Sequence, residues 1–124
     1  MKTIFYIAIG GGFGSVLRYF TTIVVNKYFQ STFPYATFAI NLIGCLLIGL
    51  CFGYFLKQNN ISQDFKLFLI TGICGGFTTF SAFSIENVQL LQNNQILTAF
   101  LYISLSIFLG LIATYAGLSI AKIL

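Results

Sequence analysis

The chain has 124 residues, 58% of them hydrophobic and 6% charged, with a net charge of +4. A soluble domain carries about 25% charged residues, so this composition excludes one and makes hydrocarbon the solvent. The six basic residues form no clustered face of the kind a nucleic acid needs, and read as membrane-orientation charges.

Length allows one domain over residues 1–124, and four spans of roughly 20 residues each use most of it. The expected spans cover about 3–25, 35–56, 65–91 and 96–121, an all-α membrane protein located in the cell membrane. Cys45, Cys51 and Cys74 lie in apolar runs without metal-ligand spacing. With no histidine and two acids, they read as packing residues. No nucleophile with its base is evident, which argues against an enzyme and leaves no catalytic residue to name.

Lys2 precedes an apolar stretch, as in a signal peptide, but the pattern continues to Val25 without a small-residue cleavage signature. The first segment is therefore expected to remain as a helix. Gly10, Gly14 and Arg18 share one face at spacing four. Small residues at that spacing let two helix backbones approach closely. Arg18 faces either a bundle interior or wet cavity, or snorkels to the nearby interface.

Pro34, the only proline, is placed to open the second helix, where its missing N–H costs nothing. Asn41, Cys45, Gly49 and Gly53 recur every four residues along that helix. The Asn41 amide serves either as a hydrogen bond between helices or as a donor group lining a pore. Glycine stripes on the first two spans also offer close-contact faces to a second subunit.

The third segment contains GICGGFTTFSAFS, Gly72 to Ser84. Glycines and β-branched threonines both weaken a continuous helix, and a break is expected near residues 75–79. Irregular backbone inside a bilayer is tolerated only where protein buries it or a wet cavity adjoins it. Two stripes follow at spacing three: Phe77, Phe80 and Phe83, then Thr78, Ser81 and Ser84, with Glu86 close behind. On the last span Tyr102, Ser106, Gly110 and Thr114 share a face, which suggests a polar path shared with the third segment.

Such a path would offer hydroxyls, one amide and the positive edges of aromatic rings, a donor set suited to a small anion. It holds no buried carboxylate ring of the kind that favours cations.

At these residues the chain resembles the Fluc (CrcB) family of fluoride channels. GGGFGSVLRY (Gly10 to Tyr19), NLIGCLLIG (Asn41 to Gly49) and GGFTTFSAFS (Gly75 to Ser84) carry the resemblance, which covers nearly the whole chain. It implies a fluoride-selective passive channel that exports fluoride from the cell, built as a dual-topology antiparallel homodimer with two pores. It also implies a structural Na⁺ at the dimer centre, held by backbone carbonyls of Gly75 and Thr78. The resemblance makes Asn41, Phe80, Ser81, Phe83, Tyr102, Ser106 and Thr114 pore-lining, and puts Arg18 and Glu86 at the vestibule and pore mouth. Ala82 stands where the family commonly has threonine, and Gly110 where the polar track often has serine.

The basic residues divide unevenly, Lys2, Lys57, Lys66 and Lys122 on one side against Lys27 and Arg18 on the other. That mild bias also admits an oppositely oriented homologous subunit as partner. The rival reading is a small four-helix proton-coupled multidrug or metabolite transporter, which would need a buried acid and has only Glu86 to offer. A second rival is a non-transporting membrane assembly factor.

Overall fold

The computed structural model describes all 124 residues and contains only helices. Helix α1 spans Lys2–Tyr28 and α2 spans Tyr35–Lys57. The third span, Gln63–Gln92, is built from α3 (Gln63–Leu67), a π-helical stretch (Phe68–Cys74), α4 (Gly75–Phe77) and α5 (Phe80–Gln92). Helix α6 covers Ile96–Ile123. Four segments are therefore long and apolar enough to cross a membrane, as the composition requires.

The junctions follow from local chemistry. Pro34 immediately precedes α2 as its N-cap. Ser62 caps α3 by accepting from the Phe65 N–H at 3.2 Å, and Asp64 adds a negative charge to the first turn. Helix α5 ends in paired bonds from Gln95 N–H to the Leu90 carbonyl and from Asn94 N–H to the Leu91 carbonyl. That is a Schellman ending, and Asn94 takes the positive φ of 62° that it needs. At the end of α6, Lys57 Nζ donates to the carbonyls of Ala121 (3.2 Å) and Lys122 (3.1 Å), which have no helical donors left.

The subunit is organised as two closely packed helix pairs. In the first, Gly10 and Gly14 of α1 lie against Phe68, Gly72, Ile73 and Phe77 of the third span, while Gly76 rests on the backbone of Gly11. In the second, Gly49 and Gly53 of α2 meet Thr114, Gly117, Leu118 and Ala121 of α6. A Cβ at Gly10, Gly14, Gly72, Gly76, Gly49, Gly53 or Gly117 would collide with the partner helix, so van der Waals contact between backbones holds both pairs. The glycine stripes of the first two spans thus pack within the subunit, which corrects the expectation that they face a second copy. Period-four spacing marks a close contact and does not specify which helix fills it.

The third span departs from the expected pattern in its details. The chain leaves helical geometry at Thr78 and Thr79, whose ψ values are 158° and 120°. Gly75 and Gly76 remain helical, and the turns ahead of the break wind as the π-helical stretch. Because the break intervenes, Phe77 and Phe80 are not on one stripe. Phe77 is buried, its backbone against Gly14 of α1 and its ring beside Gly44 of α2, whereas Phe80 is 78% exposed. Thr78 is likewise out of register with Ser81 and Ser84.

Buried residues are few, and Phe13, Phe20, Phe100, Phe108, Leu111 and Tyr115 are among the large side chains left exposed. Such a surface suits lipid, which supplies no hydrophobic drive to cover it.

Candidate functional site at the broken helix

The break is held open by one side chain. Asn41, on α2, accepts the Thr79 N–H through Oδ1 at 2.9 Å and donates from Nδ2 to the Thr79 carbonyl at 3.1 Å. An amide carries its donor and its acceptor on separate atoms, so it can satisfy a backbone N–H and C=O together. Gly44, one turn further on, has no Cβ, and its place is taken by the Thr78 side chain.

Two redirected hydrogen bonds then free two carbonyls. The Thr79 N–H would close the next turn on Gly75, but Asn41 takes it. The Ala82 N–H would bond Thr78, but the Thr79 hydroxyl takes it at 3.2 Å as an N-cap. The Gly75 and Thr78 carbonyls are left without those helical donors, while Cys74 accepts from both the N–H and the hydroxyl of Thr78.

Gly75 and Thr78 line a cavity of about 330 Å³ together with Asn41, Cys45, Thr79 and Phe80. The break therefore brings Asn41, Gly75, Thr78 and Phe80 to one place. Ser81 stands just beside it, its hydroxyl 3.1 Å from that of Thr79.

Beyond the break an aromatic series runs toward α6. Phe80 and Phe83 have ring centroids 5.7 Å apart at 42°, and Phe83 meets Tyr102 at 4.9 Å in an edge-on arrangement. Tyr102 has no exposed surface and also packs on Phe33 and Phe38. Its hydroxyl donates to Glu86 Oε1 at 2.7 Å, and Thr37 donates to Glu86 Oε2 at 2.7 Å. Both carboxylate oxygens are thus engaged by hydroxyls from α2 and α6. Glu86 sits in the wall of a cavity that includes Thr22, Asn26 and Thr37.

The remaining candidates are placed less centrally. The Ser106 hydroxyl is buried and without a partner. The Thr114 hydroxyl donates back to the Gly110 carbonyl of its own helix at 3.1 Å. A side chain at Gly110 would face Cys45 of α2, and Thr114 packs on Gly49. Within the subunit, then, the far half of the α6 stripe adjoins α2, and only Tyr102 reaches the third span's aromatic pair. Arg18 is half-buried, one turn before Thr22 and outside that cavity wall.

Sequence reasoning missed Thr37 and the role of Thr79. Thr37 was accessible, because it lies four residues before Asn41 on the same stripe. Asn87 is also buried, its Nδ2 bonded to the Phe83 carbonyl at 2.9 Å and its Oδ1 unpartnered.

Four spans, one of them interrupted beside a cavity, define a multi-pass membrane protein. Residues 5–118 match the model of the family described as CrcB-like protein, Camphor Resistance (CrcB), and the chain belongs to that family. It is 75% identical over 122 residues to a protein of Flavobacterium psychrophilum named Fluoride-specific ion channel FluC, covering 98% of each chain. Proteins of the same name from Bacteroides fragilis (47% over 120 residues, 94% of each chain) and Pseudomonas fluorescens (43% over 122 residues, 98% of each) are also similar.

Proposed function

We propose that the chain is a passive, fluoride-selective channel that lets fluoride leave the cell. One observation carries the ion's identity: 75% identity over nearly the whole chain to a protein named for fluoride. The chemistry of the site supports it. Fluoride is a small, strongly hydrated acceptor, and it enters a narrow path only where donors replace its water. Ser106 and Ser81 supply hydroxyls, Asn41 retains one Nδ2 hydrogen beyond its bond to Thr79, and Phe80 and Phe83 bring two rings, whose edges are positive, within 5.7 Å of each other.

The working unit in this reading is an antiparallel dual-topology homodimer with two pores, with an oppositely oriented homologous subunit as the alternative partner. Exposure of Phe80, Ser81 and Gly75 on the subunit surface supports completion of the path by a second chain. The freed carbonyls of Gly75 and Thr78 fit a structural Na⁺ at the dimer centre, since carbonyl oxygens suit a hard cation. No other chemistry is required of that ion than to fix the two breaks relative to each other.

The transporter alternative rests on Glu86. Its carboxylate is held by two hydroxyls, which a glutamine can also engage because hydroxyls both donate and accept. Glu86→Gln is therefore expected to keep fluoride efflux from liposomes, at a rate set by the fluoride gradient and not by an imposed proton gradient. Abolition of a proton-coupled cation flux in this variant would favour the transporter instead.

A further inference from the structure

At the end of the subunit where α2 and α6 finish and α3 begins, an apolar groove of about 480 Å³ is lined by Leu50, Tyr54, Phe55, Phe65, Leu69 and Ala121 among others. Every residue lining it is apolar or aromatic. Two ammonium groups are held against residues that line it. Lys57 Nζ is bonded to the Ala121 carbonyl, and Lys66 Nζ lies 5.8 Å from the centroid of the Phe55 ring. Both contacts are made to residues of the groove itself.

A lysine at a span end ordinarily extends its head into water. The Lys57 head is instead held on the last carbonyls of α6 and the Lys66 head over the Phe55 ring, and Lys57 retains one N–H beyond its two carbonyl bonds. Phe65 packs edge-on to Phe55 at 6.5 Å and stacks on Phe68 at 6.3 Å, which orders this part of the wall. The acidic side chain at this end, Asp64, accepts from Thr3 at 2.7 Å and lies in the adjoining cavity with Lys2. Side-chain charge around the mouth is accordingly positive, with Lys122 adjacent on α6.

We propose that this groove holds an acyl chain of an anionic phospholipid, with its phosphate between the Lys57 and Lys66 ammonium groups. The apolar wall alone accepts any acyl chain. Selection comes at the mouth, because a zwitterionic lipid brings its own cation next to the lysines and an anionic one does not. Attraction of basic residues to anionic lipid near the membrane surface supports roughly a tenfold preference. This site is separate from the broken helix and does not depend on which ion the protein conducts.

The test is native mass spectrometry of the purified full chain in mild detergent, titrated with phosphatidylglycerol or phosphatidylcholine of identical acyl chains. Phosphatidylglycerol is expected to bind about tenfold more tightly, and the preference to vanish in Lys57→Gln/Lys66→Gln. Lys66→Gln alone, which removes no hydrogen bond and leaves the α6 cap intact, should lower the preference part of the way. Cys51 also lines the groove, and Cys51→Phe, which fills it, should weaken both lipids alike. Equal binding of the two lipids by the parent chain would overturn the proposal, as would a preference unchanged in the double variant. Disulfide cross-linking of two subunits through Tyr54→Cys would also overturn it, by showing a second copy in the groove.

Discussion

Removing the Asn41 amide leaves the Thr79 N–H and carbonyl without partners inside a membrane-spanning segment. Each unsatisfied group costs about 1–3 kcal/mol, so Asn41→Ala should lower thermal stability in detergent and reduce fluoride efflux together. Asn41→Asp keeps an acceptor for the Thr79 N–H but turns an oxygen toward the Thr79 carbonyl and adds negative charge to the proposed anion path. Its flux should fall further than that of Asn41→Ala, and normal flux in both would remove Asn41 from the mechanism. The two phenylalanines separate similarly. Phe80 is largely exposed, so Phe80→Ile should cut flux with the subunit's stability unchanged. Phe83→Ile also loses its contact with Tyr102 and should cost about 0.5–1.5 kcal/mol in addition. The sequence marked Asn41 as an amide out of place in a span and left its role open between helix contact and pore. Its partner lies 38 residues away, and no local spacing encodes that pairing.

The helix pairs are where glycine placement can be tested directly. A Cβ on Gly14 would meet the Ile73 carbonyl and the Phe77 amide, both backbone atoms that cannot turn aside. Gly14→Ala should therefore destabilise the subunit by about 1–3 kcal/mol, the usual cost of overpacking. Gly12→Ala meets nothing within 4 Å and should be neutral, or stabilising by up to about 1 kcal/mol from helix propensity. Thermal unfolding of the two variants side by side checks the pair, and equal effects would show that α1 does not pack on the third span as described. The four spans and the interruption of the third were legible from apolar runs and from glycine–threonine clustering. The exact residues of the break were not, because glycines permit a helix to end without compelling it. The Asn41 bonds and the Thr79 cap place the end at Thr78–Thr79. For the same reason the phenylalanine stripe read as continuous through Phe77 when the backbone in fact changes direction there.

On the scale of the whole molecule, four helices arranged as two pairs leave the break cavity near the subunit's surface and leave many large apolar side chains exposed. Composition made the membrane plain, since 6% charge admits no other solvent. It did not distinguish a surface that meets lipid from one that meets another subunit, because both are equally apolar. The charges add direction: Lys2, Lys57, Lys66 and Lys122 gather where α1 begins and α2 and α6 end, with Lys27 at the other side. In an antiparallel dimer these ends alternate, and each membrane face receives both sets.

The most direct measurement is anion efflux from liposomes containing the purified protein, fluoride against chloride, with protein-free liposomes alongside. A fluoride channel predicts fast fluoride efflux from the protein-containing liposomes and chloride efflux no faster than in the protein-free control. Equal efflux of both anions, or none of either from protein shown to be a folded dimer, would contradict it.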